Sequence, residues 1–485
     1  MSALTTLMPG FVGFELPEWV ARRLREGMGG VCLFGDNVEG PEQLRALTDA
    51  IYAANPHAIV SIDEEGGDVS RLYQHAGSPF PGNAVLGRLA DAEITFRVGE
   101  QVGWELRRVG VSLTLAPDVD VNSNPDNPVI GVRSFGVDPV QVGLHGAAWT
   151  RGVQSTGVAA NGKHFPGHGD TAQDSHVDLP SVDADPATLR ARELPPFVAV
   201  VDAGIETIMT SHIMVPSLDP DVPATFSKPI LQDLLRGEMG FDGVIVSDAL
   251  DMLGASGEVG IARAAALALA GGCDLLCIGT KNTDEQMGQI VDAIDAAVTA
   301  GELDGWRLDD AAGRVESLGA TLAARRVELP VPPSLEWGHV AGLSPEIVAR
   351  AFAVNDAARS CLAGALSDRG RPVAWLQLQP TANFAVGPAP WGPFATGHVT
   401  ASAVIGPDDA ADRVDLVPDG ALAIVVGKDN HRHPWARATI DALRARGDVL
   451  VVDMGWPDES LAYADIATFG ASRLVGEALL NLIGK

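Results

Sequence analysis

Apolar runs of six or seven residues recur through the first two thirds of the chain: GGVCLF (29–34), AIVSID (58–63), SLTLAP (112–117), VAANGK (158–163), TIMTSH (207–212), GVIVSD (243–248) and CDLLCIG (273–279). A less regular run near Leu7 to Val12 makes an eighth. Short apolar runs without strict alternation suit strands covered on both faces. Between them, 187–203 and 286–300 carry amphipathic helical patterns. Strand and helix alternating in this way predict parallel βα units, and eight such units predict a (β/α)8 TIM-like barrel with long loops.

The alternation stops near Arg326, where LPVPPS (329–334) reads as an extended linker. Ser344 and Pro345 then suit an N-cap and first helical residue, predicting a helix to about Leu366. Beyond it, PVAWLQL (372–378), LAIVVG (422–427) and VLVVDM (449–454) read as strands and RATIDALRAR (437–446) as a helix. The expected organisation is α/β throughout: a barrel over 1–328, a linker over 329–343, and a smaller α/β domain of sandwich type over 344–485.

Composition narrows the partners. The 485 residues hold 34 basic and 63 acidic side chains, a net charge of -29, which disfavours nucleic acid or an anionic membrane as a partner. No run approaches the roughly eighteen apolar residues of a membrane span, and Met1 to Leu16 lacks a basic n-region, so a cytoplasmic location is expected. Cys32, Cys273, Cys277 and Cys361 sit scattered in apolar runs, which predicts buried thiols and no disulfide framework. Cys273 and Cys277 lack a second ligand pair nearby, so no zinc site and no other cofactor is expected.

Polar residues gather where the barrel strands end: Asp63, Asp118 and Asp120, Lys163 and His164, His212, and Asp248. In a barrel this is the face that carries chemistry. Lys163 to His176 (KHFPGHGDTAQDSH) packs three His, two Asp and a Lys into fourteen residues bent by Pro and Gly. Asp248 continues the inward row of Val244 and Val246, where a carboxylate can attack an electrophilic carbon or cap the next helix. Asp174 and His176 fall on one side of an extended segment, as an acid/base pair requires, although a casual surface contact has the same spacing. His164 and His168 are four apart, but Pro166 and Gly167 break the helix that a metal face would need. They suit hydrogen bonding to a sugar or to backbone. His212 has a bland alternative as a satisfied buried histidine. Around the Gly66-Gly67 turn, Asp63 can accept from vicinal hydroxyls while Arg71 offsets local negative charge. Arg133 is either a ligand clamp or a loop anchor.

Four blocks, IDEEGGDVSR (62–71), DVDVNSNPDNPVIGVRSFGVDP (118–139), KHFPGHGDTAQDSHVDLP (163–180) and GVIVSDALDM (243–252), together resemble glycoside hydrolase family 3, in its β-N-acetylglucosaminidase branch. The resemblance implies that Asp248 is the nucleophile and Asp174/His176 the acid/base dyad, with Asp63, Arg133, Lys163 and His164 binding the terminal sugar. Arg71 and His212 join them as candidate substrate contacts. Two departures stand out. Many relatives have Gln and Arg in place of Glu64 and Asp68, which predicts a more acidic rim, and minimal bacterial members lack anything like 340–485. Family β-glucosidases draw their acid/base from the second domain, a role the Asp174-Ser175-His176 motif fills here.

The expectation is a retaining exo-β-N-acetylglucosaminidase acting on a small glycoside, either a cell-wall recycling fragment or a chitooligosaccharide. Its neutral imidazole would also admit inorganic phosphate as acceptor, with Lys163 or Arg133 helping to hold it. Two rivals are a metal-dependent barrel hydrolase ligated by His164, His168, His176 and Asp248, and a carbohydrate-binding protein without catalysis.

Overall fold

The computed structural model describes residues 2–172, 179–257, 259–364, 366, 371–381, 385–387, 389–409 and 416–484. Asp174 and His176 therefore lie outside the described residues. The chain forms two compact units: Met1–Glu65, Thr95–Ile130 and Val137–His339 make the first, and Gly66–Ile94, Gly131–Gly136 and Val340–Lys485 the second. The division is not a single cut, since Gly66–Ile94 and Gly131–Gly136 leave the expected barrel for the second unit.

In the first unit eight strands follow the expected order: β1 (Leu7–Met8), β2 (Gly30–Leu33), β3 (Ile59–Ile62), β4 (Leu113–Thr114), β5 (Asn161–Phe165), β6 (Thr207–Thr210), β7 (Val244–Ser247) and β8 (Leu275–Cys277). Parallel pairing runs β1-β8-β7-β6-β5 and β2-β3-β4. Parallel bridges from Leu113 to Ala159 and from Asp118 to Lys163 join β4 to β5. Cys32 N donates to Pro9 O (3.1 Å), joining β2 to the end of β1. The ring is closed, as a TIM-like barrel requires.

Met8, Cys32, Ile59, Leu113, Ala159, Met209, Val244, Val246, Leu275 and Cys277 form one buried cluster, joined by Val315, Leu318 and Leu322 of the helix Gly305–Glu328. Each such aliphatic side chain contributes about 1.5–3 kcal/mol when fully buried, so the interior is a packed core and the polar mouth residues stand on rigid supports.

One boundary changes here. β5 starts later than VAANGK predicts and runs on to Phe165, so His164 lies within the strand rather than beyond it. The expected linker, 329–343, carries no helix or strand, and its first residues are tied down. Arg107 Nη2 donates to Leu329 O (2.9 Å), Arg108 Nη1 to Leu335 O (2.9 Å) and Gln101 Nε2 to Glu336 O (2.6 Å), so the helix Ala92–Arg108 holds its carbonyls.

The second unit contains a six-stranded sheet in the order β11-β10-β12-β13-β14-β9, formed by β9 (Ala353–Val354), β10 (Val373–Leu378), β11 (Ala403–Ile405), β12 (Leu422–Gly427), β13 (Val449–Asp453) and β14 (Ile466–Ala467). All pairs are parallel except β14 with β9. Leu422, Ile424 and Val426 pack on one face with Val475 and Leu479 of the helix Arg473–Ile483. Ala423 and Val425 pack on the other with Ile440 and Leu443 of the helix Pro434–Arg446. Burial on both faces explains the unbroken apolar run LAIVVG.

The helix expected from Pro345 to about Leu366 is broken. It stops at Val348, a 3-10 turn covers Ala349–Ala351, and β9 pairs with β14 before a new helix, Asp356–Ala363, begins. Asn355 caps that helix by accepting from Ala358 N (2.8 Å), so edge pairing and a cap override helix propensity. Among the described residues no helix is long and apolar enough to cross a membrane. All four cysteines are free, with Cys32, Cys273 and Cys277 buried.

Candidate active site

Three carboxylate anchors organise the mouth of the barrel in the first unit. Lys163 is 3% exposed, and its Nζ lies 3.1 Å from Asp63 Oδ1 and 2.8 Å from Glu65 Oε1, itself on a side chain 4% exposed. Two carboxylates thus share one ammonium. Asp63 keeps partial exposure.

Asp120 is the second anchor. In Asp118-Val119-Asp120-Val121-Asn122 polar and apolar residues alternate, and all five are buried. Asp120 Oδ2 accepts from His164 Nδ1 (2.6 Å), and Oδ1 from His168 N (2.7 Å). Burial alone would raise the Asp120 pKa, but the charge and hydrogen bond of His164, with His168, hold it below the usual carboxylate value. It therefore stays ionised and fixes His164 with Nε2 directed away from the carboxylate. The Lys163-His164 and Phe165-Pro166 peptides are cis.

Asp248 is the third. It follows β7 in register with the buried Val244 and Val246, and is half-buried. Its backbone N donates to Thr210 O (3.2 Å), and its Oδ1 accepts from Ala249 N (2.8 Å). His212 ties down the same turn: Nε2 meets Ala249 O (3.1 Å), and Nδ1 meets Thr225 Oγ1 (2.8 Å). Both ring nitrogens of this fully buried histidine face protein groups, which fits the satisfied-core alternative and makes it a prop for the turn that carries Asp248.

His168 is buried beside these groups, with Nδ1 2.7 Å from Thr171 Oγ1. Burial and neighbouring His164 push its pKa down to about 4, against the opposing pull of Asp120 and Asp248, so it is neutral at physiological pH. Among the described residues, Asp118, Asp120 and His164 are the grouping close enough to share a cation. That set differs from the ligands expected of a metal-dependent hydrolase, since it omits His168 and Asp248. Asp120 is also already engaged by His164 and His168.

Arg71 and Arg133 belong to the second unit. Arg71 Nη2 donates to Ala385 O (2.8 Å), and the buried Arg133 accepts from Asn83 Nδ2 at its carbonyl (2.6 Å). Asp68 pairs with Lys428 (3.0 Å) and accepts from Ala471 N (2.8 Å). Its charge is therefore compensated locally, which corrects the expectation that it makes the rim more acidic. Sequence reasoning missed Glu65 as a partner of Lys163 and Asp120 as the anchor of His164. The alternating DVDVN pattern was the available signal for Asp120.

Residues 15–318 match the glycosyl hydrolase family 3 N terminal domain. The chain belongs to glycosyl hydrolase family 3. It is 40% identical over 280 residues to a beta-hexosaminidase of Chromobacterium violaceum, spanning 56% of this chain and 78% of that protein. It is 35% identical over 363 residues to beta-hexosaminidase A of Pseudoalteromonas piscicida, spanning 69% of this chain and 58% of that longer protein. The solved family 3 β-N-acetylglucosaminidase of Paenibacillus sp. str. FPU-7 superposes with a TM-score of 0.85 at 29% identity, covering 100% of this chain and 96% of that one. The last of these shows that residues beyond the family 3 barrel also have a counterpart within the family.

Proposed function

We propose that this family 3 member is a retaining exo-β-N-acetylglucosaminidase. The carrying observation is Asp248: a half-buried carboxylate on the inward row of β7, held by Ala249 N and braced through His212 and Thr210. A fixed carboxylate of this kind suits in-line attack on an anomeric carbon, giving a covalent glycosyl-Asp intermediate through an oxocarbenium-like transition state. The names of the similar beta-hexosaminidases support a terminal β-hexosaminide, and that of the Paenibacillus β-N-acetylglucosaminidase supports GlcNAc as the sugar.

In this reading Asp63, paired with Lys163, accepts from sugar hydroxyls, and His164 offers Nε2 to the same ring. Arg71 and Arg133 retain their sequence-based assignment to the substrate. His176 protonates the departing oxygen and then, neutral, activates the acceptor, with Asp174 orienting it. This assignment rests on the sequence motif and the family. Cell-wall recycling fragments or chitooligosaccharides are the proposed natural substrates, with water as acceptor and phosphate as a second one. Because Lys163 is already shared by Asp63 and Glu65, phosphate acceptance leans on the neutral imidazole rather than on a spare cation.

The test uses a fluorinated, slow-turnover β-GlcNAc analogue and mass spectrometry of the digested enzyme. A sugar ester on Asp248 is expected, together with turnover of a nitrophenyl β-N-acetylglucosaminide that survives exhaustive chelation. A label on another residue, or product of inverted configuration, overturns the assignment. Activity abolished by the chelator and restored by a metal ion would favour the metal-dependent rival.

A further inference from the structure

β8, β1 and β2 follow β7 around the closed ring, and their carboxyl ends carry no side chain to which the glycosidase reading assigns a role. Gly279 lies just past β8 and Gly10 just past β1. Gly10 N donates to Gly279 O (2.8 Å), and Asn282 Nδ2 donates to Gly10 O (2.9 Å) and Gly279 O (2.8 Å). The two glycines therefore form one bonded floor. A Cβ on Gly10 would come within 2.7 Å of Phe34 Cε2, and a Cβ on Gly279, whose φ is +103°, would run into the Asp251 carboxyl. An aromatic ring and a carboxylate thus lie directly over paired glycines, a close approach that larger residues would block.

Both groups are fixed from behind. Phe34 continues the inward row of Cys32 and packs, partly buried, on the barrel cluster. Its backbone N donates to Asn37 Oδ1 (2.9 Å), and the fully buried Asn37 donates through Nδ2 to Phe11 O (2.8 Å) and Gly13 O (2.9 Å). The loops after β1 and β2 are locked together in this way. Asp251 stands on the same turn as Asp248, where Leu250 N donates to Cys277 O (2.9 Å) and Met252 N to Ala249 O (3.1 Å). Asp251 is exposed, and its Oδ2 accepts from Thr280 N at 3.3 Å, long for such a bond. Tethering Thr280 is therefore a weak reason for an acid at this place.

We propose that Phe34 and Asp251 form the subsite for the departing group, and that this group is itself a pyranose sugar. The inference rests on the glycosidase reading and names a substrate class within it. Asp63, Lys163 and His164 clasp the ring that is cleaved, and Asp248 attacks its anomeric carbon. Whatever projects from that carbon towards the rim next meets the turn that carries Asp248, and with it Asp251. An aromatic face receives the C–H groups of a pyranose while a carboxylate accepts from its hydroxyls, a pairing that an alkyl or aryl group would only half use. The exposure of Asp251 favours the outer, departing sugar over the acetamido group, which sits beside the anomeric carbon.

The experiment compares wild type with Phe34→Ala, Phe34→Leu, Asp251→Ala and Asp251→Asn. The substrates are the β-linked GlcNAc disaccharide and the β-azide of GlcNAc, whose leaving group is too small to span the subsite, with Tm measured alongside. Phe34→Ala and Asp251→Ala should each lose about ten-fold more kcat/KM on the disaccharide than on the azide. Phe34→Leu keeps bulk without the ring face, Asp251→Asn keeps shape with one acceptor, and both should fall between. The split is required of both residues, so one without the other overturns the paired subsite. Equal loss on the two substrates, as contact with the acetamido group or a packing role would give, or no loss at all, overturns the inference while leaving the glycosidase reading intact. Wild type that turns over the azide but not the disaccharide does the same. A wild-type enzyme that turns over neither defeats the glycosidase reading itself, and this inference with it. Should Phe34→Ala fail to fold, Phe34→Leu decides for that residue.

Discussion

His164 Nδ1 stands 2.6 Å from Asp120 Oδ2, and the other oxygen of that carboxylate receives the backbone N–H of His168 at 2.7 Å. One buried, ionised side chain from the loop after β4 therefore holds a ring on β5 and the turn that follows it. The arrangement converts a polar strand end into a rigid platform. His164 can present Nε2 to a ligand without needing to reorient, which is the usual use of a carboxylate behind an imidazole.

Removing this anchor should be costly in two separable ways. Asp120→Ala leaves the His168 N–H and the His164 ring without their acceptor in a buried site, and should destabilise the fold by about 2–4 kcal/mol. Turnover should fall about 100-fold through misplacement of His164. Chemical denaturation and steady-state kinetics measure the two effects. An Asp120→Ala protein with wild-type stability would show that the anchor is dispensable.

Lys163→Met should be harsher on the fold than its conservative size suggests. The methionine fills the space but leaves Asp63 and Glu65 without the ammonium they share. Breaking a buried pair in this way typically costs about 3–5 kcal/mol. Because Glu65 is the more buried partner, Lys163→Met combined with Glu65→Gln should recover part of the loss. A double variant no more stable than the single one would contradict the shared-cation account.

Much of this architecture was legible in the sequence, for a physical reason. Strands such as β2, β7 and β12 are covered on both faces, so their sequences GVCL, VIVS and LAIVVG are nearly continuous apolar runs. β5 was misplaced because it runs on through His164, and carboxylates distant in sequence accommodate Lys163 and His164 inside the strand. β11 and β14 span three and two residues, too few to show any period. The mouth residues Asp63, Asp248 and His164 could be named from their strand-end positions. The contact of Arg192 with Asp170 could not, since twenty-two residues separate them and no local pattern couples the two.

Glu193 and His168 should leave opposite signatures in the pH dependence of stability. Burial lifts the Glu193 pKa from an unfolded value of 4.5 to about 7 despite the pull of Arg192, so the folded state binds more protons between these limits. Its contribution is complete below about 4.5 and is lost as pH rises through about 7, a change on the order of 3 kcal/mol. His168 goes the other way, from 6.5 unfolded to about 4 folded. Its contribution is present above about 6.5 and is lost as pH falls through about 4. The Tm of wild type relative to Glu193→Gln should therefore fall from pH 4.5 to 7 and level off above. The Tm of wild type relative to His168→Asn should fall on acidification. A pH-independent difference in either variant would refute that assignment.

The acceptor gives the last prediction. In most retaining glycosidases the acid/base is a carboxylate, which is anionic when the glycosyl-enzyme awaits its acceptor and so repels phosphate. An imidazole is neutral at that stage, which removes one repulsive charge. Against this, Asp63, Glu65, Asp118 and Asp120 lie around the mouth of the barrel, Lys163 is already neutralised by two of them, and the chain carries a net charge of -29. The balance predicts hydrolysis as the main reaction, with GlcNAc-1-phosphate as a minor product that grows with phosphate concentration and shrinks as pH rises, because the dianion meets more repulsion than the monoanion. Phosphorus NMR of reactions run in millimolar phosphate measures it directly. If only free sugar forms at every phosphate concentration and the rate is unchanged, water is the sole acceptor and the neutral imidazole serves hydrolysis alone.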